Sequence, residues 1–129
     1  MRVIVYSREK KAALDLVEAI HSLVPATKVE SCASFPLCEA MLVETGTGGV
    51  VMVALVADRE ELASLFLFRE RFMDIQLILI LPEDSAATIC LGHRLQPRFV
   101  GFRDNGFRDV AAVAMRLLGR MDYPCQLCN

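Results

Sequence analysis

Hydrophobic positions along the chain fall into two alternating patterns, short apolar runs and stretches where apolar residues recur every three or four positions. Arg2 to Tyr6 is a β-branched run that predicts a strand, and Ser7 at its end is expected to cap the helix that follows. In that helix Ala13, Leu16, Val17, Ile20, Leu23 and Val24 form one stripe. Glu9, Lys10, Lys11, Asp15 and Glu18 take the opposite face, and Pro25 ends the helix. A second strand is expected over Lys28 to Ala33. Ser34 is the next candidate cap, with Pro36 in the first turn of a helix that runs to about Glu44 and is closed by Gly46.

Val50 to Val56 is apolar throughout, as expected of a parallel strand covered on both faces. Asp58-Arg59-Glu60-Glu61 reads as a capping box, opening a helix with Leu62, Leu65, Phe66, Phe72 and Met73 on one stripe. Ile75 to Leu81 is a second buried run, ended by Pro82. A helix from about Ser85 to Leu95, with Gly92 as its weak point, leads to a strand over Pro97 to Phe102. Asp104-Asn105-Gly106 then turns the chain into a last helix whose stripe is Val110, Val113, Ala114, Leu117, Leu118 and Met121.

Five strand-helix pairs with short connections predict an α/β fold, a three-layer flavodoxin-like (βα)5 domain. Its sheet is parallel and five-stranded in the order 2-1-3-4-5, because right-handed crossovers leave few other arrangements. The pattern assigns residues 1–121 to one domain and 122–129 to a C-terminal tail. At 129 residues and 54% hydrophobic composition, there is enough apolar material for one core.

Charge changes the picture only locally. Fourteen Lys and Arg against sixteen Asp and Glu leave a net charge of -2, which speaks against a polybasic nucleic-acid binder. Apolar runs fall well short of the roughly 20 residues that span a bilayer. The apolar stretch near Met1 is too short for a signal-peptide core, so the expectation is a cytoplasmic chain with no membrane partner. Five cysteines in such a chain read as mostly reduced thiols, with Cys32, Cys38 and Cys90 packed as small hydrophobes. Cys125-Gln126-Leu127-Cys128 supplies only two of the four ligands of a closed zinc site. Cys125 and Cys128 are therefore weak metal or disulfide candidates, and the expected metal set is empty.

The chain resembles the receiver domain of bacterial response regulators, the chemotaxis-protein-Y-like family. The resemblance covers about Arg2 to Met121. It rests on the order and lengths of the elements, the apolar third strand, and Glu39-Ala40-Met41, similar to a Glu-Ala-Leu stretch often found in the family's second helix. A working receiver implies an acidic pair after the first strand and a phospho-accepting Asp at the end of the third. It further implies a Ser or Thr after the fourth and a Lys after the fifth, with Mg²⁺ neutralising the transferring phosphoryl group. This sequence has Tyr6-Ser7-Arg8-Glu9 at the first place and Leu55-Val56-Ala57-Asp58 at the second. Leu81-Pro82-Glu83-Asp84-Ser85 stands at the third and Gly101-Phe102-Arg103 at the fourth. The acceptor position falls near Leu55 to Ala57, so Asp58, the nearest carboxylate, is the candidate acceptor only if the strand is shifted and otherwise reads as a helix cap, as Ser85 does. No lysine follows Lys28. The resemblance is therefore to a degenerate form, a pseudo-receiver.

Other chemistries lack their residues. The loop after the first strand has no glycine to wrap a flavin phosphate, and Thr45-Gly46-Thr47-Gly48-Gly49 precedes a strand where a phosphate loop would precede a helix. His21 and His93 have no partner at ligand spacing, and nothing nominates a nucleophile beside a base. Positive charge does gather late in the chain, at Arg94, Arg98, Arg103, Arg108, Arg116 and Arg120 against Asp104 and Asp109. Leu67, Ala111, Ala112 and Met115 add apolar positions off the buried stripes.

The expected function is a non-catalytic signalling and interaction module. It would use the face of the fourth helix, fifth strand and fifth helix, with Arg94, Arg103, Arg108, Met115, Arg116 and Arg120, to bind a protein partner or a second copy as a homodimer. The alternative is an atypical phosphorylatable receiver of two-component signal transduction using Asp58, the only reading that calls for a cofactor, Mg²⁺.

Overall fold

The computed structural model describes residues 2–45, 49–72 and 75–122, with the side chains of residues 44, 45, 72 and 120–122 left aside. Five strands, β1 (Arg2–Tyr6), β2 (Lys28–Cys32), β3 (Val50–Leu55), β4 (Gln76–Leu81) and β5 (Phe99–Phe102), alternate with five helices. These are α1 (Lys10–Leu23), α2 (Phe35–Thr45), α3 (Arg59–Leu67), α4 (Ala86–His93) and α5 (Arg108–Asp122). The strands form one parallel sheet in the order β2-β1-β3-β4-β5, as the pattern predicts. Arg2 of β1 sits opposite both Lys28 and Val50, so β1 is enclosed on both sides.

Alternation along each strand divides the core in two. Ile4, Met52, Ala54, Leu77 and Leu79 face one way, against Cys38 and Leu42 of α2 and Leu62 and Leu65 of α3, with Ile89 and Leu91 of α4 partly buried there. Val3, Val5, Val51, Val53, Ile78 and Ile80 face the other way, against Leu16 and Ile20 of α1 and Val110, Ala114 and Leu118 of α5. Both faces of β3 are fully covered, which explains why its sequence shows no polar alternation. Each fully buried Leu, Ile or Val contributes about 1.5–3 kcal/mol relative to exposure.

Several details depart from the sequence expectation. Ser7 does not cap α1. Its hydroxyl accepts the Glu9 N–H at 3.0 Å and closes the turn before the helix, leaving Glu9 at the cap position without a capping hydrogen bond because its carboxylate is drawn to Arg103. Leu23, the last residue of α1, is exposed and does not extend the buried stripe. α3 stops at Leu67 and a tighter 3-10 turn follows over Arg69–Phe72, so the stripe expected to reach Met73 does not continue on one helix. Ala111 is in the core between α5 and the sheet, so it does not widen an exposed apolar face. Gly46, Met73, Met121's side chain and the tail beyond Asp122 lie outside the described residues.

The largest correction concerns cysteine. Cys32 at the end of β2 and Cys38 in α2 are joined in a disulfide, where the sequence reading had two packed thiols. Six residues of chain, turning from strand into helix, bring their Cα atoms to 5.9 Å, within bridging range. Cys90 is a free thiol and exposed, because it sits on the solvent side of α4. Cys125 and Cys128 lie outside the described residues. The bond bears on the expected compartment, because in a reducing cytoplasm this pair would be a buried dithiol. Closing so short a loop is worth about 2 kcal/mol, so reductant is expected to lower Tm by roughly 5–10 °C. Thermal denaturation with and without dithiothreitol checks this, and an unchanged Tm would show that the bond does not form in solution.

Candidate functional site

Parallel strands bring all five carboxyl ends to one edge, where α/β domains of this order bind their ligands. The residues found there are Tyr6 at the end of β1 with Ser7, Arg8 and Glu9 after it, Val56, Ala57 and Asp58 after β3, Glu83 and Ser85 after β4, and Arg103 after β5. They form three groups, each closed on itself.

The first centres on Glu61, a carboxylate only 4% exposed in the first turn of α3. Tyr6 donates its hydroxyl to Glu61 Oε2 at 3.0 Å, the Ala57 N–H donates to Oε1 at 2.9 Å, and Arg8 pairs with the same carboxylate through Nε. Asp58 caps α3 by accepting the Glu61 N–H at 2.8 Å, and its other oxygen faces Arg8 Nη2 at 3.6 Å. The capping box is therefore present in a modified form, with Glu61 reaching back to the N–H one residue before the cap. The Tyr6 ring stacks on Phe35 with centroids 4.4 Å apart, and Phe35 meets Phe68 at 5.4 Å. Burial, and then the hydrogen bond to the Glu61 carboxylate, hold the Tyr6 phenol well above its ordinary pKa.

The second group is a two-pronged ion pair, with Arg103 Nη1 donating to Glu9 Oε1 at 2.7 Å and Nη2 bound to Oε2. In the third, Ser85 caps α4 by accepting the Thr88 N–H at 3.3 Å. Its own hydroxyl donates to Thr88 Oγ1 at 2.8 Å, and Thr88 donates to Glu83 Oε1 at 3.0 Å. Glu83 also faces Arg59 at 3.6 Å. Among the described residues no buried polar side-chain atom lacks a partner, and no group of three His, Cys, Asp or Glu is placed to hold a metal ion.

The structure sets Arg103 apart from the other residues expected on the docking face. Arg103 belongs to the carboxyl edge, half-buried against Glu9. Arg94 is the C-cap of α4, exposed, its guanidinium carbon 6.0 Å from the Phe66 ring centre. Arg108, Met115 and Arg116 are exposed on α5, with Met115 at 40%, and the Arg120 side chain lies outside the described residues. His21 and His93 are exposed in the last turns of α1 and α4. The Tyr6–Glu61–Arg8 cluster was not anticipated. Its one signal was the run Tyr6-Ser7-Arg8-Glu9 where the receiver resemblance implies an acidic pair.

No protein-family description and no curated protein sequence matches the chain. Solved structures do. HP1043, an orphan response regulator of H. pylori, superposes with a TM-score of 0.69 at 11% identity, covering 92% of this chain and 96% of that one. A CheY-like protein, tadZ, from Pseudomonas aeruginosa PAO1 gives 0.60 at 18% identity, covering 93% and 95%. The sugar isomerase domain of an RpiR transcription factor from Sphaerobacter thermophilus gives 0.52 at 12% identity, covering 95% and 70%. At these identities the likeness establishes architecture: the chain has a receiver-like, flavodoxin-type (βα)5 fold.

Proposed function

We propose that the chain is a receiver-like signalling module that works by protein contact and does not switch by Mg²⁺-dependent aspartyl phosphorylation. The observation that carries this reading is the Tyr6–Glu61–Arg8 cluster. A phosphorylation pocket needs free carboxylate oxygens converging on a cation. Here Glu9, Asp58 and Glu61 are each engaged with an arginine, and the Tyr6 hydroxyl occupies a Glu61 oxygen. The reading includes no resident cofactor and no catalysis. Its partner is a protein or a second copy, met through Arg94, Arg108, Met115, Arg116 and Arg120, and neither nucleic acid nor membrane is included. Among the described residues no helix is long and apolar enough to cross a membrane.

One feature favours the alternative: the Asp58 side chain is 55% exposed and has an oxygen free of the cap. Titrating the ¹⁵N-labelled chain with Mg²⁺ and beryllofluoride separates the two readings. No saturable shift around Asp58 is expected, and a shift abolished by Asp58→Asn would overturn the proposal in favour of an atypical receiver. Native mass spectrometry of the chain from its own cells is the companion measurement. It should find a protein complex that Met115→Asp and Arg116→Glu weaken without unfolding the chain. If both variants associate as the wild type does, that face is the wrong one.

A further inference from the structure

At the opposite edge of the sheet, where β4 begins, the end of α3 and the segments that follow α3 and α4 line a cavity of about 330 Å³. We propose that it binds a small amphipathic carboxylate, one acid group on a short branched aliphatic body. The floor is aliphatic, made of Leu65, Ile75 and Leu77, all buried, with Leu95 half-buried beside them. The volume is at the lower end of ligand cavities, which run about 300–1,000 Å³.

The rim carries the charge. Arg69 and Arg94 both line the cavity and both lie against Phe66, their guanidinium carbons 4.1 and 6.0 Å from the ring centre. Among the described residues neither is in an ion pair, unlike Arg2, Arg8, Arg59, Arg71 and Arg103. Helix dipoles account for a cation at the end of α3 and another at the end of α4, and Arg69 also caps the Phe66 carbonyl at 3.0 Å. They do not account for two like charges sharing one ring above a hollow apolar floor.

Gln96 supplies an independent observation. It has φ 54, the single positive value among the described residues other than glycine, and its N–H bonds to the His93 carbonyl as it closes α4. Glycine takes that conformation without steric cost. Glutamine, which also lines the cavity, instead carries a side-chain amide that can donate to an anion there.

Together these features select the ligand. A phosphate would leave the floor uncovered, a cation would meet two arginines, and a hydrocarbon would make no use of the guanidinium N–H groups that the Phe66 carbonyl does not occupy. A carboxylate takes the arginine fork and its aliphatic body covers the floor. Glu70, also at the rim and paired with neither arginine, works against the anion. The acid is either a free metabolite or a peptide's terminal leucine carboxylate.

The test is NMR titration of the ¹³C-methyl-labelled 129-residue chain with 4-methylpentanoate and its neutral amide. Saturable shifts are expected at Leu65, Ile75, Leu77 and Leu95, with Kd on the order of 1 mM for so small a probe. The amide should bind about tenfold more weakly, as should the acid to Arg69→Gln or Arg94→Gln, whereas Glu70→Gln should bind it more tightly. A structural role for these residues would not produce that opposed pair of effects. A pentapeptide ending in leucine, binding more tightly or more weakly than the free acid, distinguishes the two sources. Absence of saturable shifts, equal binding of acid and amide, or indifference to the arginine changes would overturn the proposal.

Discussion

Glu61→Ala is expected to remove about 2–4 kcal/mol of stability, measured by urea unfolding. The change leaves the buried Tyr6 hydroxyl and the Ala57 N–H without their acceptor, and each such loss costs about 1–3 kcal/mol. Arg8 adds less, because its side chain is 53% exposed and returns to water. Glu61→Gln keeps an acceptor in place and should cost about half as much. Alkaline titration provides a second view of the same cluster. The phenol of Tyr6 is held above its ordinary pKa in the folded state, so the unfolded chain gives up that proton first as pH rises. The stability from Tyr6 is therefore complete below about pH 10 and is lost above it. Tyr6→Phe should lack that alkaline decline. A Glu61→Ala cost below about 1 kcal/mol would mean that water already satisfies the cluster.

Phe35→Ala is expected to be the more damaging change, at about 3–5 kcal/mol. Phe35 is buried between the Tyr6 and Phe68 rings and opens α2, next to the chain turn that the Cys32–Cys38 bond closes. Its removal leaves a cavity that α2 cannot fill by collapsing while the disulfide anchors its first turns. Amide hydrogen exchange should therefore quicken at Tyr6, Ser7 and the start of α2 more than in β4. Uniform quickening would show that the ring supports the whole core and not the carboxyl edge in particular.

The fold was legible because the sheet is buried on both faces and its runs are long. Val50 to Val56 and Ile75 to Leu81 leave little choice but central parallel strands, and Asp58 and Ser85 mark the starts of their helices by local chemistry alone. The site was legible only as a set of departures from the receiver pattern. What fills it depends on partners far apart in sequence: Tyr6 with Glu61 across 55 residues, Arg103 with Glu9 across 94. Periodicity carries no such information. The same holds for Cys32 and Cys38, whose apolar neighbours suggested packing and whose pairing depends on how β2 turns into α2. Ser7 was misplaced for a related reason, since a local hydroxyl and a distant arginine both compete for Glu9.

The outer margin of β2 has a consequence for assembly. An unpaired strand edge is a template for adding another chain, and proteins blunt it with charge. β2 alternates Lys28 and Glu30 along that margin, and Arg2 holds the Glu30 carboxyl below the usual range, so the charge persists into mildly acidic conditions. On the far side β5 is only four residues long, with Arg98 and Arg103 at its two ends. Growth of the sheet from copy to copy is disfavoured at both margins. While the fold persists, backbone pairing of a second copy at either margin therefore competes poorly with hydration of those charged edges.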